Sequence, residues 1–193
     1  MEKRLAGVLL PLLAACAMTV GAIEEPAYDV LQVADIEGIE IRHYGPRILA
    51  ATTMTESNNS GFRVLAGYIF GGNAREERIA MTAPVQQTMP GADTAEMAFV
   101  IPAAYAMDEL PQPDDERVRF IEAPAYDAAV IRFSGRATDA RVDEHWQRLY
   151  DYLLVQQIAV LGQPTLNQYN PPWTLPFLRR NEIIVPVAWP SEA

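Results

Sequence analysis

The sequence predicts an α+β fold. Two similar halves pair their strands into one sheet or open barrel, with one amphipathic helix from each half packed on it. Three observations predict this. Short runs of period-two alternation, bounded by Gly and Pro, read as strands. Two stretches carry apolar residues at helical spacing. The order strand, strand, helix, strand, strand occurs on both sides of a proline-rich connector.

In the first half, Ile39 to Tyr44 alternates as a strand, Gly45-Pro46 turns the chain, and Arg47 to Thr53 forms a second strand. Asn58, Asn59 and Ser60 are N-cap candidates for a helix whose Phe62, Leu65, Ala66 and Ile69 share one face, with Gly71-Gly72 as its stop. Strands follow at about Arg78 to Thr88 and Glu96 to Ile101. The first of these contains Arg78-Ile79-Ala80-Met81-Thr82-Ala83-Pro84-Val85, apolar on one face. Pro84 cannot donate a ladder hydrogen bond, so it belongs at an edge, a bulge or a strand end.

The connector holds Pro102, Pro111 and Pro113. The second half starts with strands at Val118 to Glu122 and Tyr126 to Phe133. Thr138 or Asp139 caps a long helix with Asp143 and Glu144 in its first turn, which suits the helix dipole. Its stripe is Val142, Trp146, Leu149, Leu153 and Val160, widened by Tyr150, Leu154 and Leu161, and Gly162 and Pro164 end it. Leu166 to Tyr169 and Glu182 to Val187 supply the last strands. A ligand cleft is expected between the helices and the sheet.

The N-terminus reads as an export signal. Lys3 and Arg4 precede an apolar run from Leu5 to Ala15, too short to span a bilayer. Leu13-Ala14-Ala15-Cys16 has the pattern of a lipoprotein signal. Residues 1–15 are then the signal peptide, Cys16 the lipidated residue, 16–27 a tether and 28–193 the domain. The alternative is ordinary cleavage after Ala22. Either way the expectation is an exported protein. In the lipidated form it is periplasmic and anchored to the outer membrane, touching the membrane only through the lipid.

Cys16 is the single cysteine, so no intrachain disulfide forms. The formal charge is −10, and loss of residues 1–15 takes it to −11. That balance argues against nucleic acid and against an anionic membrane surface as direct partners.

In order, Ile41-Arg42-His43-Tyr44-Gly45-Pro46, Gly61-Phe62-Arg63-Val64-Leu65, Tyr68-Ile69, Asn73, Met81-Thr82-Ala83-Pro84-Val85, Tyr169-Asn170-Pro171-Pro172 and Arg179-Arg180-Asn181-Glu182-Ile183 resemble the SOUL haem-binding family, from about Tyr28 to Val187. The resemblance implies a distorted β-barrel of two pseudo-repeated strand-helix-strand units with two flanking helices, similar to the effector-binding domains of bacterial regulators. It implies non-covalent binding of haem or another tetrapyrrole, for transfer or buffering, by a protein that is not an enzyme.

Such binding needs an apolar slot, cationic groups for the propionates and, optionally, an axial ligand. There is no Cys-x-x-Cys-His for covalent attachment. His43 matches an axial ligand proposed in one branch of the family, with a solvent-facing strand-end histidine as the alternative. Arg63 is the propionate candidate, Phe62, Leu65 and Ile69 are slot walls, and Met81 is a possible thioether. The other histidine, His145, sits at the edge of the helical stripe and reads as partly buried and structural. The resemblance also implies that Arg179, Arg180 and Glu182 tie the last strand to the barrel by ion pairing.

No Gly-x-Ser-x-Gly, His-Glu-x-x-His or phosphate loop occurs. Alternative readings are a module for other amphipathic or cationic small molecules and, less favoured, a hydrolase using Glu182 with Tyr169.

Overall fold

A computed structural model describes residues 23–36, 38–54, 58–92 and 94–190. The strands are β1 (Tyr28–Val33), β2 (Ile39–Tyr44), β3 (Arg47–Thr53), β4 (Val85–Thr88), β5 (Glu96–Val100), β6 (Arg119–Ala123), β7 (Tyr126–Ser134), β8 (Thr165–Gln168) and β9 (Arg180–Pro186). The helices are α1 (Asn58–Ile69) and α2 (Asp139–Val155). The signal segment and Cys16 lie outside the described residues.

All nine strands form one antiparallel sheet, ordered β1-β2-β7-β9-β8-β4-β5-β3-β6. That order shows the duplication. Set β2, β3, β4, β5 against β6, β7, β8, β9, and everything after β1 reads the same from either end. The β4–β8 pair lies on the pseudo-twofold, and each half lends a strand to the other through β2–β7 and β3–β6.

Each helix packs on its own half. Leu65, Tyr68 and Ile69 of α1 lie one helical turn apart and bury against Ala50, Met97 and Phe99. Gly61 permits the close approach, since a Cβ there would lie 2.9 Å from Met54 Cγ. Val142, Leu149, Tyr152 and Leu153 of α2 bury against Ala129, Ile131, Ile183 and Val185. Strand alternation turns Arg42, Tyr44, Ala128, Val130, Asn167, Glu182 and Ile184 to the opposite face. Neither α1 nor α2 covers that face, yet all seven are buried, because the sheet curls over them into a half-barrel.

Several expectations are corrected. β1 is an additional strand. Of the Arg78 to Thr88 strand only Val85–Thr88 is regular. Before it, the Ile79 amide bonds to the Ile69 carbonyl at the end of α1, and the Ala83 amide to the Glu24 carbonyl, so this stretch is held by a helix end and the N-terminal segment. The Ala83–Pro84 peptide is cis.

α2 ends at Val155, earlier than its apolar pattern suggests. Gln157 is left-handed at φ 56 and the Ile158 amide caps the Leu153 carbonyl, which stops the helix. Val160 and Leu161 instead meet the end of β9, and Tyr150 and Leu154 are exposed rather than part of the stripe. Thr138 is the N-cap of α2 but makes no side-chain cap bond. Asn58, Asn59 and Ser60 fall inside the first turn of α1, whose cap position lies outside the described residues.

Candidate functional site

The inner face of the half-barrel carries a lattice of arginine, tyrosine and glutamate. Arg42 Nη1 and Nη2 donate to Glu182 Oε2 and Oε1 at 3.0 and 3.3 Å, and Nε donates to Glu40 at 2.7 Å. The Tyr169 hydroxyl donates to Glu182 Oε2 at 2.6 Å, and Arg42 Nη1 also reaches the Tyr44 hydroxyl at 3.1 Å. Burial pushes the hydroxyls of Tyr44 and Tyr169 well above the ordinary tyrosine range, and the Glu182 charge adds to this at both. The Tyr44 and Tyr126 rings stack 5.5 Å apart. Arg47 lies over Tyr126 at 4.8 Å and donates to its hydroxyl at 2.6 Å. Glu182 is thus engaged by two donors from two other chain segments, and it joins β9 to β2 and to the end of β8.

Beside the lattice opens a cleft of about 810 Å³. Pro46, Ile48, Val100, Ile101 and Pro124 are among its apolar wall residues, with Thr82, Tyr105, Glu122 and Arg47 as polar members. The fourth side is the N-terminal segment, residues 24–27. Glu24 anchors that segment, its side chain accepting from the Ala103 amide at 2.8 Å, and Glu25 pairs with Arg180. The cleft therefore lies at strand ends, under the N-terminal segment, and not between helix and sheet as its patterning suggested. Arg47 lines this cleft, and its Nε and Nη1, packed beside the Tyr44 and Tyr126 rings, are buried without a hydrogen-bond partner among the described residues. A guanidinium keeps its charge in any protein, and a turn of this side chain that bares the two nitrogens to the cleft would seat a carboxylate on them.

The candidates read from sequence do not converge on this cleft. Leu65 and Ile69 are in the α1 core, and Phe62 is half-exposed with its ring edge-on to Phe99. Arg63 is exposed beside a shallow cavity with Asp114, Asp115 and Arg117. Met81 packs against the α1 cluster, while its neighbour Thr82 lines the cleft. His43 faces away from Arg42 and Tyr44, with Nδ1 2.7 Å from Asp127. In sheet order four strands separate β2 from β5, on which α1 rests.

His145 is buried, stacked on Phe133 and bonded through Nδ1 to the Arg141 carbonyl, as a structural histidine should be. Of the expected ion pairs, Glu182 pairs with Arg42 and Arg180 with Glu25, whereas Arg179 donates to the Thr174 and Pro172 carbonyls instead. Arg47 was not legible as a site residue. Its one sequence signal is its place just after Gly45-Pro46.

The family model described as SOUL heme-binding protein matches residues 23–186. Heme-binding protein 2 of Mus musculus is 31% identical over 146 residues, which cover 68% of this chain and 70% of that protein. Among solved structures, the EcmrR C-terminal domain is similar with a TM-score of 0.59 at 12% identity, over 78% of this chain and 96% of that one. A hydrolase from Listeria innocua is similar with a TM-score of 0.59 at 10% identity, over 80% and 94%. At those identities the two structures speak for the fold alone.

Proposed function

The chain belongs to the SOUL heme-binding protein family, and from that premise we propose that it binds haem or a related tetrapyrrole non-covalently in the cleft beneath residues 24–27. The observation that carries the reading is Arg47. Its Nε and Nη1, without a hydrogen-bond partner among the described residues, suit a propionate once the side chain turns to the cleft, and Pro46, Ile48, Ile101 and Pro124 fit the apolar edge of a macrocycle. Tyr126 orients the guanidinium through its third nitrogen. Glu25 is neutralised by Arg180, so the segment that closes the cleft does not repel a dianion at that point.

Haem held this way is coloured, redox-active cargo. Binding, transfer or buffering by an exported chain, lipidated at Cys16 or released after Ala22, is the role in keeping with this arrangement. The axial position proposed for His43 is a separate matter, because His43 does not line the cleft.

A second reading has its own support. Glu24 and Glu122 line the cleft in a chain of charge −10, which suits a lipophilic cation. A hydrolase is less favoured, since the Glu182 carboxylate already accepts from Arg42 and Tyr169. Titrating haemin and a lipophilic phosphonium salt separately into the full chain discriminates. The haem reading expects a saturable Soret shift with one haem per chain and no competition by the cation. Competition by the cation for a single site favours the second reading.

A further inference from the structure

The β8–β9 connection carries the most exposed apolar surface among the described residues. Trp173, Leu175, Phe177 and Leu178 are 82%, 56%, 70% and 61% exposed, within six residues. They are not held out by a slack loop. Arg179 Nε donates to the Thr174 carbonyl at 2.8 Å and its guanidinium also reaches the Pro172 carbonyl. The Pro176 carbonyl accepts from the Gly135 amide at 2.9 Å, and Asn170 Oδ1 accepts from the Arg180 amide at 2.6 Å. A built loop that presents Trp, Phe and Leu to solvent marks an interaction surface.

Two further observations identify its occupant. First, a cavity of about 560 Å³ at the loop's base is lined by Arg132, Arg141, Arg148, Arg179 and Arg180. The whole chain holds 15 cationic side chains, and five of them line this one cavity; Arg180 is paired with Glu25, and the other four have no carboxylate partner among the described residues. Net charge argues against attraction of the whole protein to an anionic surface, but the local sign here is the reverse. Apolar and aromatic tips with a guanidinium collar behind them match an acyl boundary topped by phosphates.

Second, Arg180, at the loop's end, pairs with Glu25. Glu25 therefore lies at this same end. Eight residues lie between Cys16 and Glu25, a span of at most roughly 30 Å even when fully extended. A lipid on Cys16 would hold this end within that reach of the bilayer.

We propose that Trp173, Leu175, Phe177 and Leu178 insert into the interface of a bilayer containing anionic phospholipid, with the arginine collar on its headgroups. The tether part of the argument rests on lipidation of Cys16, whereas the loop and its collar do not. The test uses full-length chain with vesicles of phosphatidylethanolamine and phosphatidylglycerol brominated in the acyl chains. Tryptophan emission is compared for the wild type and for Trp173→Phe, which leaves the partly buried Trp146 and Trp189.

The proposal expects quenching in the wild type that falls at least twofold in Trp173→Phe. It also expects weaker quenching when Phe177→Ser and Leu178→Ser are combined, with near-ultraviolet dichroism confirming the fold. Equal quenching in wild type and Trp173→Phe overturns it, as does absence of quenching accompanied by self-association of the chain. The mass of the N-terminal peptide from native envelopes reports lipidation separately. Quenched Trp173 on an unlipidated chain upholds docking and removes the anchor. Unquenched Trp173 on a lipidated chain removes docking and leaves both the anchor and haem binding standing.

Discussion

Arg42 and Glu182, 140 residues apart in sequence, form a two-pronged ion pair on the inner face of the sheet, and both are almost fully buried. The pair joins β2 to β9 across β7, and through Tyr169 it also holds the end of β8. It is the physical content of the Arg-Arg-Asn-Glu motif. Without Glu182, the strand-exchanged halves would meet through a buried arginine paired only with Glu40 of its own strand.

Removing one member alone is costly. Glu182→Ala leaves the buried Arg42 guanidinium with only the half-buried Glu40 as counter-ion, and the expected loss is about 3 kcal/mol of unfolding free energy, the lower end of the range for breaking a buried pair. The double variant Arg42→Met with Glu182→Leu is expected to lose much less, because no charge is stranded. Urea denaturation of the three proteins checks this. Equal losses in the single and double variants would mean that the pair is not the source of the cost.

Buried tyrosines make the fold sensitive to alkali. Burial, reinforced by Glu77, pushes the Tyr68 hydroxyl up to about 12, and Tyr44 and Tyr169 shift in the same direction. A raised tyrosine contributes fully below its unfolded value near 10. That contribution is lost as pH rises through the folded value. Stability should therefore fall steadily between about pH 10 and pH 12, with delayed tyrosinate absorbance. Tyr68→Phe should flatten the fall, at a cost of roughly 1 kcal/mol for its bond to the Pro111 carbonyl. Stability independent of pH across that window would contradict the burial account.

Two glycines separate backbone need from helix entropy. Gly38 has φ +83, and a Cβ there would lie 2.8 Å from the Arg132 carbonyl oxygen. Gly38→Ala is expected to cost upwards of about 1–2 kcal/mol. Gly67 lies in α1 with open space around it, so Gly67→Ala should stabilise by roughly 0.5–1 kcal/mol. Denaturation midpoints moving in opposite directions are the expected result.

His43→Ala should leave the haem spectrum and affinity unchanged. The imidazole is tied to Asp127 and points away from the inner face. A shifted Soret band in this variant would place the iron at the β2 end instead.

What could be read from the sequence follows from which elements bury one face. β2, β7, α1 and β5 each place apolar residues against one helix–sheet layer, so their periodicity survives in the letters. β1 is an edge strand exposed on both faces with a bulge between Val30 and Gln32, and it leaves no alternation to read. The run from Arg78 to Pro84 alternates like a strand, but its partners are a helix end and the N-terminal segment, which local pattern does not encode. The tail of α2 stays apolar past Val155 because Val160 and Leu161 pack on β9 as loop residues. Met81-Thr82-Ala83-Pro84-Val85 marks the family and puts Thr82 on the cleft wall. Arg47 emerged only in three dimensions, since an orphaned donor depends on what fails to reach it.

The central claim is tested most directly by haemin titration of the full chain beside Arg47→Met. The account predicts a saturable Soret change with one haem per chain in the wild type. Arg47→Met should weaken binding by roughly tenfold or more, since a charge-assisted bond contributes about 1.5–3 kcal/mol. No spectral change in the wild type, or undiminished affinity in Arg47→Met, would contradict it.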